Sequence, residues 1–300
     1  MSWWSGRLMR SLDQQATVLD TDHGSIQVAR AGDGPPVMVV HGGPGGFDQG
    51  LAFGRHLRDG GCELIAPSRP GYLRTPLISG RRPAEQADLY AAMLDVLRIG
   101  KVTVLGVSSG GPSAVHFAAR HPQRTTALLL DCAVLLAFDE HLNPFERMLS
   151  ETGFGVWLSY QLAGRWPAMM TAVVVDAFSE GLNKGQRREA ITWITSDPAR
   201  QQSIKDLLSS AAPRKHRQPG QGNDESIEPD LDPLPFADVT APTLVAHGTN
   251  DGLVPSAHAT HAADQIAGAE LILVEEGHHA LPLCRHYEPV AHRQLELSRG

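Results

Sequence analysis

The chain has 300 residues, 42% of them hydrophobic and 20% charged, a composition that excludes a fibrous repeat or a wholly disordered chain. A formal charge of -7 repels phosphate backbones over most of the surface, and the short basic cluster RKHR at 214–217 does not offset it, so nucleic acid is not expected as a partner. Three well-separated cysteines, Cys62, Cys132 and Cys284, offer no disulfide framework and point to a reducing compartment, by default the cytoplasm.

The opening segment MSWWSGRLMRSLDQQ has no continuous apolar stretch and reads as an amphipathic arm packed on the body, with Trp3 and Trp4 on it, not as a secretory signal. No later apolar run approaches the roughly 20 residues of a membrane span. ATVLD, SIQVAR and PPVMVV are β-rich runs separated by Asp/Gly turns and predict strands. A helix is expected near 51–58, then a strand at CELIAP, a helix at DLYAAMLDVLRIG and a strand at KVTVLGV. TTALLLDCAV continues the alternation, which implies βαβ units and a mostly parallel sheet flanked by helices.

After this strand the texture changes. PFERMLSE, VWLSYQLAG, PAMMTAVVVDAFSEG and REAITWITS predict helices, with Pro167 and Pro198 in first turns. RKHRQPGQGNDESIEPDLDPLP reads as a long polar loop, in which Asn223 and Asp224 are expected to face solvent, the alternatives being that they cap a helix or reach over the pocket mouth. The sheet pattern returns with strands at APTLVAHGTND and AELILVEEGHH and helices at HATHAADQIAG and EPVAHRQLELSR. The expected organisation is an α/β core, residues 1–136 and 236–300, interrupted by a helical insertion and its connecting loop, 137–235.

GVSSG is G-x-S-x-G with Ser108 at its centre, between a predicted strand and a predicted helix, the setting in which a sharp turn lifts a nucleophile clear of a sheet. A serine hydroxyl needs a base and an orienting acid. Asp251 follows one late strand, and His278 and His279 follow the next, each at a carboxyl end where open α/β sheets bind ligands. His278 is favoured as base because it directly follows Gly277, which leaves His279 as a neighbour lining the site. Asp131, at another strand end, is the alternative acid to Asp251. The loop HGGPGG at 41–46 offers the Gly43 N–H as one oxyanion donor and the N–H of Ser109 is the second. His41, Tyr72, Trp157 and Trp193 are candidate substrate contacts, with Phe154, Trp166, Met148, Met169 and Met170 as further pocket candidates. No H-E-x-x-H occurs and HATH lacks a completing ligand, so neither metal nor cofactor is expected.

Taken together, the oxyanion-type loop, the elbow, APTLVAHGTNDGLVP and EEGHH resemble the α/β-hydrolase superfamily over residues 36–135 and 236–285. The resemblance implies an α/β-hydrolase sheet with an α-helical cap inserted after the sixth strand, and a Ser108–Asp251–His278 triad. HGGPGG is similar to the loop of proline iminopeptidases, but Ser68 stands where those carry an aspartate and GVSSG replaces their Gly-Gly-Ser-Trp-Gly elbow. Ser108 also separates the chain from epoxide hydrolases and haloalkane dehalogenases, which use aspartate there. The expected activity is cofactor-independent hydrolysis of a small, fairly apolar ester, lactone or related acyl compound. Its rivals are an aminopeptidase, with Glu146 or Glu151 receiving an amine, and a non-catalytic ligand receptor or cofactor-free oxygenase or haloperoxidase on the same fold. The expected partner is a small-molecule substrate, and the sequence is compatible with a homodimer.

Overall fold

A computed structural model of the protein describes residues 2–139 and 152–300. The alternating β-rich and amphipathic segments form one eight-stranded sheet: β1 Thr17–Thr21, β2 Gly24–Ala31, β3 Pro36–Val40, β4 Glu63–Pro67, β5 Val102–Val107, β6 Thr125–Asp131, β7 Thr243–Gly248 and β8 Glu270–Val274. Their spatial order is β1-β2-β4-β3-β5-β6-β7-β8. Only β1 and β2 run antiparallel to their neighbours, and the remaining pairs are parallel. Burial explains the sequence texture. VTVLGV of β5 is buried at every position, as a central strand covered on both faces must be, whereas edge strand β1 alternates toward solvent.

One face of the sheet is covered by α4 Pro83–Leu97, α5 Gly111–Arg120 and a late helix at Ala257–Gln265, whose Tyr90, Met93, Phe117 and Ala262 share a core with Met38, Val104 and Leu130. The other face packs Leu57, Tyr287 and Val290, from a short helix Arg55–Asp59 and the closing segment with its helix Glu288–Arg299, onto Val39, Leu105 and Leu129. Where one helix was expected near 51–58 there are two short ones, Phe47–Phe53 and Arg55–Asp59, separated at Gly54. The opening arm is a helix, Ser2–Asp13, that buries Met9 and Leu12 against Phe47 and Ala66. Cys62, Cys132 and Cys284 are free and buried. Among the described residues no helix is long and apolar enough to cross a membrane.

Between β6 and β7 lie five described helices: α6 Gly153–Arg165, α7 Pro167–Phe178, α8 Lys184–Thr195, α9 Pro198–Ser209 and α10 Gln218–Ile227. Pro167 and Pro198 occupy first turns, where a missing N–H costs nothing. Val174, Val175, Ile194 and Ile204 of α7, α8 and α9 pack together and onto Ala280 and Leu283, which seats these helices on the turn after β8. The helix expected at PFERMLSE lies outside the described residues, as do Met148, Glu146 and Glu151. The polar loop expected after 213 instead contains α10. Its polar residues are anchors: Asp224 is buried against Arg69, and Arg217, just before the helix, is buried against Asp48. Asn223, the neighbour of Asp224, is half-buried, its side-chain amide donating to the carbonyl of Arg81.

Candidate active site

β5 ends at Val107, and the next residue turns the chain through a conformation that L-residues resist: Ser108 has φ 49°. Close packing leaves the elbow no room for larger neighbours. A Cβ on Gly42 would stand 2.8 Å from Ser108 Cβ, and one on Gly110 would stand 2.4 Å from the Val40 carbonyl oxygen. Helix α5 then begins at Gly111, so Ser108 sits at the carboxyl edge of the sheet, above a helix N-terminus.

Two loops bring the remaining groups to it. Asp251 follows β7 and His279 follows β8, and these strands pair in parallel register. His279 Nε2 is 3.0 Å from Ser108 Oγ and His279 Nδ1 is 2.8 Å from Asp251 Oδ2. With the carboxylate ionised, Nδ1–H donates to it and Nε2 accepts from the serine hydroxyl. Asp251 Oδ1 also accepts the N–H groups of Leu253 at 2.8 Å and Val254 at 3.0 Å. Buried His247 lies 3.3 Å from Oδ2. Burial by itself would push the Asp251 carboxyl up, but the His279 charge and the hydrogen bonds from His247, His279 and the Val254 N–H together hold it well below the usual carboxylate range.

The histidine expectation is corrected: the residue joined to Ser108 and Asp251 is His279, not His278. Gly277 belongs to the turn itself, donating its N–H to the Val274 carbonyl, so the first histidine after it points into the protein. His278 is buried, its Nδ1 accepts the Ala280 N–H at 3.3 Å, and burial lowers its pKa to about 4. The alternative acid is also placed elsewhere. Asp131 is buried against the closing segment, accepting from Gln294 Nε2 at 2.7 Å and the Tyr287 hydroxyl at 3.4 Å, with burial raising its pKa to about 7.

Ser108 and His279 open into a cavity of about 370 Å³ that Gly42, Gly43 and Ser109 also line. Its apolar wall comes from Val156, Met170, Val174, Phe178, Leu207, Leu208 and Val254. Asp224, Gln221 and Glu225 line the side toward α10. Most of the sequence-based substrate contacts are not on these walls. His41 is fully buried; its Nδ1–H donates to the Gly42 carbonyl at 2.7 Å and its Nε2 accepts the Arg69 N–H at 2.9 Å, so it braces the glycine loop as a neutral ring. Tyr72 is buried with its ring edge-on to His41 at 4.8 Å, and its hydroxyl donates to Asp224 Oδ2 at 2.5 Å. Trp157 packs beside Phe154 at 6.0 Å, and Trp193 lies under the Arg200 guanidinium at 3.6 Å. Trp166 and Met169 are exposed, whereas Met170 does reach the cavity.

Sequence reading missed the polar residues that hold this edge together. Arg69 grips Asp224 at 2.9 and 2.6 Å, Arg217 grips Asp48 at 2.9 and 2.7 Å, and Gln49 accepts the Gly42 N–H at 2.9 Å. The signal was the placement of two arginines in otherwise apolar or turn-rich segments, APSRPGY and RKHRQPG. Cys132, His247 and Asp251 bring three donor atoms within 4.8 Å of one another, but His247 Nε2 already donates to the Val254 carbonyl at 2.8 Å and Asp251 is engaged as above.

Comparison with known proteins gives the same picture. A family model described as the alpha/beta hydrolase fold matches residues 35–283. A solved structure of an alpha/beta hydrolase fold protein from Nakamurella multipartita is 38% identical, covers 95% of this chain and 99% of its own, and superposes with a TM-score of 0.90. The Bacillus subtilis (strain 168) protein named uncharacterized hydrolase YcgS is 27% identical over 90% of this chain and 93% of its own. A 2-hydroxy-6-oxo-6-phenylhexa-2,4-dienoate hydrolase from Burkholderia cepacia is 26% identical over 89% of this chain and 86% of its own. With the strand order, the elbow and the matched span in agreement, the chain belongs to the alpha/beta hydrolase fold family.

Proposed function

We propose that the protein is a cofactor-independent serine hydrolase that cleaves a small, fairly apolar ester, lactone or related acyl substrate through an acyl-enzyme. The observation that carries this reading is the continuous hydrogen-bonded line from Ser108 through His279 to Asp251, ending at a largely apolar cavity. In this reading Ser108 Oγ attacks the carbonyl carbon while His279 Nε2 takes the hydroxyl proton. Asp251, kept ionised by its surroundings, holds Nδ1–H and offsets the charge that forms on the ring. The oxyanion is received by the N–H groups of Gly43 and Ser109, donors whose loss costs about 10²- to 10³-fold in rate. His279 then protonates the leaving alcohol, and a water activated by the same nitrogen releases the acid. The cavity volume suits a substrate of modest size, buried on its apolar side.

Labelling with a fluorophosphonate probe and locating the modified peptide tests this. Wild type should label at Ser108, and Ser108→Ala and His279→Ala should not. Folded wild type that neither labels nor turns over simple esters would remove the hydrolase reading and favour a ligand-binding role for the cavity.

A further inference from the structure

The cavity has an oxygen-lined corner beside the oxyanion donors. Ser109 lines the cavity, and among the described residues its hydroxyl has no hydrogen-bond partner. Asp224 faces it across Gly43: an atom placed where a Cβ on Gly43 would stand lies 3.6 Å from Asp224 Oδ2, 3.6 Å from Ser109 Oγ and 3.4 Å from the Tyr72 hydroxyl oxygen. Glycine leaves that volume open to the cavity. Of these three residues, Ser109 and Asp224 line the cavity, whereas Tyr72 is fully buried.

The chemistry of the corner selects its occupant. A carboxylate only accepts hydrogen bonds, whereas a serine hydroxyl donates one and accepts others, so a group that donates to Asp224 and accepts from Ser109 completes both. A hydroxyl does this. An ammonium is the poorer match, because the Asp224 charge is already neutralised by a bidentate contact from Arg69 at 2.9 and 2.6 Å and by the Tyr72 hydroxyl at 2.5 Å. Position narrows the choice further. The corner adjoins Gly43 and Ser109, the two residues assigned to the oxyanion, so a group there lies close to the acyl end of the substrate.

We infer that Ser109 Oγ and the cavity-facing edge of Asp224 form a subsite for a substrate hydroxyl, and that the preferred acyl groups are those of 2-hydroxy acids. This inference rests on the serine-hydrolase reading above and extends it to a substrate class.

The test compares butyl lactate, as each enantiomer, with butyl propionate and butyl alaninate in a pH-stat, each rate divided by that ester's own hydroxide-catalysed rate. Enzyme concentration is set by fluorophosphonate titration of Ser108. One lactate enantiomer should exceed propionate in kcat/KM by roughly 10- to 100-fold, the range expected for a hydrogen bond to a charged group, and should exceed alaninate as well. In Ser109→Ala the lactate-to-propionate ratio, taken within that variant, should fall by about 2- to 10-fold, the share of a neutral hydrogen bond, because the bond to Asp224 remains. Wild type that labels at Ser108 but hydrolyses lactate and propionate alike overturns the subsite and leaves the hydrolase reading intact. A lead for alaninate overturns the choice of a neutral donor, and an undiminished ratio in Ser109→Ala overturns the assignment to this residue. Absence of labelling removes the hydrolase reading and the subsite with it.

Discussion

Replacing Arg217 by methionine should separate the glycine loop 41–46, the proposed oxyanion loop, from the segment that holds it. All five N–H donors of this fully buried guanidinium are committed: Nε to the Ala212 carbonyl at 2.8 Å, one Nη to the Gly45 carbonyl at 2.6 Å and to Asp48 Oδ1 at 2.9 Å, the other to Asp48 Oδ2 at 2.7 Å and again to Ala212. Methionine preserves much of the stem volume and removes every donor. Asp48 is then left without its partner with 18% of its side chain exposed, and two carbonyls lose donors. Removing one partner of a buried pair costs about 3–5 kcal/mol, and the partial exposure of Asp48 places the loss at the lower end. For a chain of this length that lowers Tm by roughly 4–6 °C.

The catalytic consequence is distinct from the thermal one. Gly45 lies two residues from Gly43, so releasing its carbonyl lets the proposed donor leave its position, and kcat should fall by up to about 10²-fold while KM changes by a few-fold at most. Thermal unfolding and steady-state kinetics, the latter per titrated active site, read the two effects separately. Arg217→Lys should resemble Arg217→Met, because an ammonium lacks the planar fork that reaches three acceptors at once. A lower Tm with unchanged kcat per labelled site would show that the glycine loop keeps its shape unaided and would refute the coupling. Unchanged Tm would refute the clamp itself.

The neighbouring histidines give a direct contrast: His279→Ala should lose at least about 10³-fold in kcat, while folded His278→Ala keeps measurable turnover and loses stability, and equal kinetic losses would contradict the geometry. Gly42→Ala, whose Cβ would stand 2.8 Å from Ser108 Cβ, should abolish fluorophosphonate labelling in protein that remains folded by circular dichroism. Asp131, raised to about 7 by burial, binds a proton in the native state that the unfolded chain has already released, so it lowers stability as pH rises between about 4 and 7. Asp131→Asn should therefore raise stability at pH 8, by on the order of 4 kcal/mol before losses in hydrogen bonding, with a correspondingly higher Tm, and flatten the pH dependence across that window; a variant with wild-type pH dependence would mean that the carboxyl is ionised in the native state.

What could be read from the sequence, and what could not, follows the range of the interactions involved. Strands β3, β5, β6 and β7 are continuous apolar runs because both faces are covered, and such runs are visible one segment at a time. The elbow is legible for the same reason: its glycines and Ser108 answer a steric demand satisfied within a few residues. The two histidines are adjacent in sequence, and what divides them is the path of the turn from Glu275 to Gly277, with Glu276 at φ 55°, a conformation the residue types do not announce. The polar stretch around α10 misleads in the opposite direction. Pro, Gly, Asn and Asp are turn formers when solvent satisfies them, yet here Arg217 and Asp224 meet partners, Asp48 and Arg69, that lie more than 150 residues away in the chain. A pairing of that kind leaves no local period. Its outcome is that the segment read as the least structured part of the insertion is tied directly to the glycine loop through Arg217 and Gly45, and the same segment delivers Asp224 to the corner over Gly43 where a substrate hydroxyl is proposed.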